Sequence, residues 1–428
     1  MKPACEPSNA EACVKLIPST VQRVVRSRNG ALLVDTGLSA LMGIVVVVLA
    51  ARSLGAGQLD RFSVAQLLVV TVVGIVRASI YGPAMAAQRT TGRAVIPARW
   101  IVTVSVPVAA GIALSFGPVV NSGGGALVPW ILCLFVTCTI ALMLDATRSA
   151  LLSRELVAGA IVADACALVF LGSLFALGFF HGSEFRTLYG WAVALFGALL
   201  IAIGYLLAKK RGGEDVQQQS LRETWKLGRW AALDSSLAAV GSLLPIFVAA
   251  LVVGGGSAGV YRTLQTALGP LNIIHTTVIT SFSLDAWQAA DTHGLQRLGR
   301  RVRRLTLVMI GMSGLYVGAG LPVMGWVAGL HDPDLGRIMI VVGIAAVMGA
   351  ATTAPNAGAL ALGYHKAGAL IRGTVLVLSV VISLPQSVHT WVPWSDAIGT
   401  TMFMSALLAL AGWTVAYRRA MSVVTRPA

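Results

Sequence analysis

Residues 31–51 have the sequence ALLVDTGLSALMGIVVVVLAA, and residues 230–250 have the sequence WAALDSSLAAVGSLLPIFVAA. Each stretch is mostly apolar and about 20 residues long, which is the length that a helix needs to cross a bilayer. The two stretches align without a gap at an offset of 199 residues, and each carries an aspartate at the same place, Asp35 and Asp234. Together they predict a helical membrane protein with two related halves.

The composition of the whole chain supports the same class. Of the 428 residues, 56% are hydrophobic and 11% are charged, and the mean hydropathy is +0.80. Soluble domains carry roughly 25% charged residues, so a soluble enzyme is excluded. An outer-membrane barrel is excluded because its strands alternate polar and apolar residues. No cleavable signal peptide is expected, since residues 1–30 are polar and the first apolar run is too long.

Apolar runs predict twelve membrane-spanning helices, and hence an all-α polytopic fold with two six-helix lobes. These spans lie near residues 31–51, 62–86, 98–118, 126–147, 157–179, 187–208, 230–253, 258–284, 305–329, 336–358, 367–388 and 395–416. The predicted organisation is a cytoplasmic tail over 1–30, a lobe over 31–208, a cytoplasmic loop over 209–229, a second lobe over 230–416 and a cytoplasmic tail over 417–428. The central loop is expected to carry a short amphipathic helix.

The basic residues predict the orientation. Of the 32 lysines and arginines, 26 fall in the tails, loops and span ends on one side, four on the other, and Arg77 and Arg262 lie well inside spans. Cytoplasmic loops of membrane proteins are enriched in basic residues, so both termini are expected in the cytoplasm and the protein in the cytoplasmic (inner) membrane. The same rule explains the net charge of +15 without a nucleic-acid partner. The five cysteines lack metal-ligand spacing, and no metal or cofactor is expected.

The repeat extends past the first span of each half. Gln66 falls on Gln265, and Phe62 falls on Tyr261. Because each half has six spans, an even number, both halves enter the membrane in the same direction. The two lobes should therefore be related by an axis along the membrane normal, as in transporters that bind substrate between lobes and expose it alternately to each side.

Two junctions carry a family resemblance. Residues 51–66, ARSLGAGQLDRFSVAQ, resemble the R-x-L-G-x-x-x-(Y/F)-G junction of bacterial polysaccharide exporters, although six residues instead of three separate Gly55 from Phe62 and Ser63 stands where that family usually has glycine. Residues 144–154, LDATRSALLSR, resemble its junction between spans 4 and 5. These exporters are the O-antigen flippase-like branch of the multidrug/oligosaccharidyl-lipid/polysaccharide (MOP) superfamily. The resemblance implies a transporter, not an enzyme, in which the first two spans of each lobe line a central cavity.

Spans 2 and 8 each carry a polar stripe. At 100° per residue, Ser63, Gln66, Arg77 and Tyr81 lie on one face of span 2. The corresponding stripe of span 8 consists of Arg262, Gln265, Asn272, His275 and Thr276. We expect both stripes to line the cavity, where the arginines would bind an anionic group such as the diphosphate of a polyprenyl-linked sugar, because a guanidinium makes paired, charge-assisted hydrogen bonds to phosphate.

Other interpretations of these residues stay open. Arg77 would otherwise pair with an intramembrane carboxylate, since a charge at this depth costs about 2.5–3.5 kcal/mol on insertion scales. Arg262 would otherwise extend to the outer membrane surface, and His275 would be an ordinary interior histidine. Arg372, near the start of span 11, is expected at the interface or within reach of the cavity.

Three aspartates are candidates for gating or ion coupling. Asp35 and Asp234 lie near the cytoplasmic ends of spans 1 and 7. Asp35 would pair with Arg77 and Asp234 with Arg229, or either would bind a proton or sodium ion, or cap its helix N-terminus. Asp164, deeper in span 5, is expected in an internal salt bridge or in ion coupling.

The favoured function is a flippase that translocates a polyprenyl-diphosphate-linked oligosaccharide for cell-envelope polysaccharide assembly. Its expected partners are the lipid-linked glycan, membrane lipids and other polysaccharide-assembly proteins. The alternatives are a secondary small-molecule transporter, of the multidrug antiporter or major facilitator type, and a membrane glycosyltransferase or polymerase. Residues 88–99 lack the facilitator signature, and no catalytic or nucleotide-binding motif is present.

Overall fold

The structure is a computed structural model, and it describes residues 28–85, 96, 98–121, 127–154, 156–180, 182–209, 220–248, 257–269, 271, 275, 292–320, 322–323, 333–361, 365–388 and 394–424. Regular structure in these residues is helical throughout, without a strand. The predicted all-α fold is confirmed.

Twelve helices follow one another along the described residues. They are α1 (Arg28–Ser53), α2 (Ala56–Val76), α3 (Ala98–Val120), α4 (Leu127–Ser153), α5 (Val157–Ala176), α6 (Glu184–Ala208), α7 (Leu221–Val248), α8 (Ser257–Ala267), α9 (Thr292–Leu315), α10 (Pro333–Ala361), α11 (His365–Val388) and α12 (Trp394–Val424). A π-helical turn, Arg77–Tyr81, continues α2, and another, Tyr316–Gly320, continues α9.

The twelve helices correspond in order to the twelve predicted spans, so the chain is a multi-pass membrane protein. Within the described residues, six segments are individually long and apolar enough to cross a bilayer: Gly57–Met85, Arg99–Val120, Leu127–Ser153, Val157–Ala176, Glu184–Ala208 and Ile340–Ala359. Gly37–Ser53 is a shorter apolar helix. Below, "outer" and "inner" denote the extracytoplasmic and cytoplasmic helix ends that follow from the distribution of basic residues.

The predicted central loop, 209–229, ends earlier than expected. Its residues 221–229 are the first turns of α7 and not a separate amphipathic helix, and residues 210–219 lie outside the described residues. A capping box explains this start: the backbone N–H of Glu223 donates to the Ser220 hydroxyl, and the backbone N–H of Ser220 donates to the Glu223 carboxylate, both at 3.2 Å.

The two lobes share one packing scheme. In lobe 1, α3 packs on α4, α4 on α6, α5 on α6, and α1 on α5. In lobe 2, each of these pairs recurs six helices later: α9 packs on α10, α10 on α12, α11 on α12, and α7 on α11. The core of lobe 1 encloses large side chains such as Trp130, Phe62 and Tyr81. Matched helix pairs are what a duplication predicts, and the two-lobed fold is confirmed.

The lobes meet through the first two helices of each. α2 contacts α7 and α8, and α1 contacts α8. Glycines allow the close approach: a β-carbon added at Gly259 would overlap the Leu59 side chain near the outer end, and one at Gly228 would overlap the main-chain oxygen of Ser79 near the inner end. Spans 1, 2, 7 and 8 therefore form the centre of the protein, as predicted.

Candidate functional site

The outer ends of α2 and α8 are joined by a hydrogen bond between repeat partners. The backbone N–H of Gly259 donates to Asp60 Oδ1 at 2.8 Å, and these two residues are separated by 199 positions, which is the repeat offset. Two repeat partners can face each other only where the pseudo-two-fold axis passes between them. The axis that relates the lobes therefore runs between α2 and α8.

The two polar stripes meet just inward of this contact. Arg262 donates to Gln66 Oε1 from Nε at 2.9 Å and from Nη2 at 2.7 Å. It also donates to Gln265 Oε1 at 3.4 Å. The Tyr261 hydroxyl accepts from Gln265 Nε2 at 3.4 Å and donates to Met402 Sδ at 3.2 Å. Gln66 is fully buried, so at this level the two stripes contact each other.

Further inward, the same face of α2 becomes exposed. Val70, Gly74 and Arg77 are exposed, whereas residues 62–69 are buried. At 100° per residue these three lie within about 80° of Gln66, on the face that contacts lobe 2 at the outer end. Arg77 therefore lies on this face with 45% of its side chain exposed, and the turn that it begins contacts α7 of lobe 2, where Gly228 approaches Ser79.

One edge of the Arg77 guanidinium is hydrogen-bonded to a carboxylate of lobe 1. Asp145, on α4, accepts hydrogen bonds at Oδ1 from Arg77 Nε at 2.9 Å and from Arg77 Nη2. Only 5% of the Asp145 side chain is exposed. The intramembrane ion pair that was the alternative interpretation of Arg77 is thus present, and part of the guanidinium stays exposed.

Asp145 belongs to a larger buried network. Arg148, one helical turn further along α4, donates from Nη2 to Asp35 Oδ2 at 2.6 Å and from Nη1 to the Ser39 hydroxyl at 2.8 Å. Its Nη2 also lies 3.4 Å from Asp164 Oδ2. These charged side chains are almost fully buried. The internal salt bridge expected for Asp164 is found.

Two expectations for Asp35 are wrong. Its partner is Arg148 and not Arg77, because α4 continues to Ser153 and carries Arg148 into the lobe, whereas hydropathy assigned this arginine to a cytoplasmic loop. Asp35 is also not a helix cap, since it is the eighth residue of α1.

The equivalent aspartate of lobe 2 has a simpler environment. Asp234 Oδ1 lies 2.6 Å from Arg372 Nε on α11. The expected pairing with Arg229 is wrong, because that guanidinium lies over the Trp230 ring at 5.8 Å. The capping interpretation is wrong as well, since Asp234 is the fourteenth residue of α7. The continuation of α7 to Leu221 places Asp234 well inside the helix.

Three other predicted site residues have different outcomes. Tyr81 is fully buried in the core of lobe 1, so its predicted place on the cavity face is wrong. The Tyr81 hydroxyl lies close to Ser105 on α3 and to Asp145 on α4, so this side chain points into lobe 1. His275 is partly buried, and its Nε2 has no hydrogen-bond partner among the described residues. Asn272 lies outside the described residues, as does Thr276.

Sequence reasoning missed three residues of these sites, Asp60, Asp145 and Arg148. The signal for two of them was present, because an aspartate and an arginine three positions apart at the end of an apolar span lie on one helix face. Asp60 had no such signal, since its partner is a backbone N–H of the other lobe.

Comparisons with known proteins identify the fold. No family model matches the chain, and no curated protein matches it. Among solved structures, an inward-facing multidrug resistance MATE family transporter of the MOP superfamily gives a TM-score of 0.64 at 11% identity, covering 90% of this chain and 95% of the other. An outward-facing structure of such a transporter gives a TM-score of 0.64 at 11% identity, covering 96% of this chain and 99% of the other. A MATE structure in the bent conformation gives a TM-score of 0.64 at 14% identity, covering 96% of this chain and 98% of the other. The chain therefore has the two-lobed fold of MATE transporters of the MOP superfamily.

Proposed function

We propose that this protein is an alternating-access transporter that moves a polyprenyl-diphosphate-linked oligosaccharide across the cytoplasmic membrane for cell-envelope polysaccharide assembly. The observation that carries the proposal is the Arg77 guanidinium, which is half-exposed on the α2 face toward lobe 2 while its carboxylate partner is buried. An anionic group that entered between the lobes would meet a positive charge already in place.

The sign of the accessible charge favours an anionic substrate. Asp35, Asp145 and Asp164 lie behind the arginines with at most 5% of their side chains exposed. A cation that entered between the lobes would meet Arg77 first. Phosphate suits a guanidinium because the planar fork offers two parallel N–H donors. Arg262, nearer the outer end, would supply a second guanidinium once the lobes separate there and its bonds to Gln66 break.

We also propose that the buried network of lobe 1 couples transport to a proton or sodium ion. It contains three carboxylates and two guanidiniums, so it holds one surplus negative charge when all are ionised. Both carboxylate oxygens of Asp164 lack a hydrogen bond. A buried, uncompensated charge is costly, and a bound cation or proton would remove that cost. For Asp234, already paired with Arg372, we propose a gating role.

The proposal is tested by complementing a strain that lacks the gene and measuring polysaccharide export. Arg77→Ala should abolish export while the protein stays in the membrane at its normal level, because no other charge on this face of α2 replaces the guanidinium. Arg77→Lys should restore export only in part, since an ammonium is a point charge without the bidentate geometry. Full export by both variants would remove Arg77 from the mechanism. Recovery of Arg77→Ala by a second change, Asp145→Ala, would show that Arg77 is only an ion-pair partner.

A multidrug antiporter is the second candidate function. It is favoured by the acidic residues of lobe 1 and by the fold shared with multidrug resistance transporters. In that case Asp164→Asn should abolish efflux of a cationic dye from cells, and Arg77→Ala should leave efflux intact. The opposite result, glycan export that depends on Arg77 without dye efflux, would eliminate the antiporter.

A further inference from the structure

We propose that Asp145 is a positioning residue for substrate recognition, which holds Arg77 so that one edge of its guanidinium is permanently presented to a phosphate between the lobes. This inference rests on the proposed function and adds a second residue to the site. It gives a role to the burial of Asp145, the ion-pair partner of the half-exposed Arg77.

The hydrogen bonds define which edge is presented. A guanidinium has five N–H donors. Asp145 Oδ1 accepts one from Nε and one from Nη2, and no other residue of the described chain bonds to Arg77. Two donors on Nη1 and one on Nη2 remain. Together they form the edge that takes two phosphate oxygens in the bidentate arrangement.

Asp145 is suited to this role because its own position is restrained. It lies on α4, which packs against α3 and α6 in the core of lobe 1, and only 5% of its side chain is exposed. Arg148, one turn away on the same helix, is anchored to Asp35 and Asp164. Arg77 by contrast stands at the start of the π-helical turn, and π turns occur frequently at functional sites.

A long, flexible arginine side chain loses rotamer freedom when it binds a ligand. An acceptor that restrains the guanidinium beforehand removes part of that cost, which is the general advantage of preorganisation. We therefore expect the loss of Asp145 to weaken anion binding even though Asp145 never touches the anion.

The chain contains a matched control pair. Arg61, also on α2, donates from Nε at 3.1 Å and from Nη2 at 2.8 Å to a single oxygen, Glu184 Oε1 on α6. The side chains are 31% and 8% exposed. At 100° per residue Arg61 lies on the opposite side of α2 from Gln66, away from lobe 2. The same type of ion pair thus occurs in the same lobe without facing the space between the lobes.

The test measures binding of farnesyl diphosphate, a short prenyl diphosphate, to the full chain purified in detergent, by isothermal titration calorimetry. Asp145→Ala should weaken binding about tenfold or more, as expected for loss of hydrogen bonds to a charged group. Asp145→Asn should stay close to wild type, because its amide oxygen can accept the same two hydrogen bonds. Glu184→Ala should leave the affinity unchanged. If Asp145→Ala does not fold, Asp145→Ser replaces it, since the short side chain cannot reach Arg77.

The outcomes separate the two proposals. If Arg77→Ala loses binding and Asp145→Ala does not, the positioning role is wrong and the proposed function stands. If wild type does not bind the diphosphate, or Arg77→Ala binds it equally well, the proposed function is wrong. Equal weakening by Asp145→Ala and Glu184→Ala would show a general effect of lost ion pairs on lobe 1 and would overturn the positioning role. Equal weakening of diphosphate binding by Asp145→Asn and Asp145→Ala would show that the hydrogen bonds from Arg77 to Asp145 do not account for the effect.

Discussion

The two lobes keep the same helix pairs but arrange their buried charges differently. Asp35 and Asp234 are repeat partners on the first helix of each lobe. Across from Asp234 stands Arg372, the eighth residue of α11, whereas the eighth residue of the corresponding helix α5 is Asp164. An arginine from a different helix, Arg148 on α4, lies between the two acids of lobe 1. Packing has therefore been retained between the halves, while the arginine that pairs with the first-helix aspartate comes from α4 in lobe 1 and from α11 in lobe 2.

This difference assigns different tasks to the lobes. Among the described residues of lobe 2, Asp234 and Arg372 form one electrically balanced pair. The network of lobe 1 around Arg148 and Arg77 has three acids and two bases, so it holds a surplus negative charge. A bound cation or proton would therefore neutralise a buried charge in the network of lobe 1, but it would not do so at the Asp234–Arg372 pair. Three experiments test this difference between the lobes.

The largest effect is expected from removing the central arginine of lobe 1. Arg148→Met should lower the free energy of unfolding by about 3–5 kcal/mol, because it leaves Asp35 and Asp164 buried without a counter-charge. Arg372→Met should cost clearly less, since Arg372 is 33% exposed and leaves a single carboxylate that water can reach more easily. Thermal or denaturant unfolding of the purified proteins in detergent checks both. Equal losses of unfolding free energy would show that the two arginines stabilise their lobes to the same extent.

The next effect concerns coupling. Asp164→Asn removes the surplus carboxylate, so transport by this variant should lose its dependence on the proton or sodium gradient. Asp234→Asn should keep that dependence, even if its rate falls, because the Asp234–Arg372 pair carries no surplus charge. Uptake into proteoliposomes with and without an imposed ion gradient distinguishes the two variants. A gradient dependence that vanishes in Asp234→Asn and survives in Asp164→Asn would reverse the assignment.

The smallest effect is expected at the outer contact, where the repeat partners Gln66 and Gln265 both accept from Arg262. Gln66 accepts two hydrogen bonds below 3 Å, whereas Gln265 accepts one at 3.4 Å. Gln66→Ala should therefore favour separation of the outer ends by about 1–2 kcal/mol, and Gln265→Ala by less. A cysteine at the fully buried Ser63, in a chain without its native cysteines, reports the opening by its rate of maleimide labelling. Faster labelling in Gln265→Ala than in Gln66→Ala would contradict the ranking.

The architecture could be predicted from sequence because it depends on properties that repeat along the chain. Apolar runs and the match of Asp35 with Asp234 are sufficient to place twelve helices in two equivalent lobes. The ion-pair partners could not be predicted, because Arg148 lies at the end of an apolar run where hydropathy does not show whether the helix continues. The burial of Tyr81 could not be predicted either, because a 100° projection gives the face of a helix but not the neighbouring helices that cover it.

The hydrogen bond from Gly259 to Asp60 bears on how a chain of this kind comes to exist. In a symmetric dimer of identical halves, a residue on the axis faces its own copy, so an aspartate there would face an aspartate. Two carboxylates at such a distance cannot both be ionised without a large cost. Once the halves are covalently joined, each copy can mutate alone, and one aspartate can be replaced by a glycine whose N–H binds the other. The contact that closes the outer end of this protein is therefore one that only a fused pair can make.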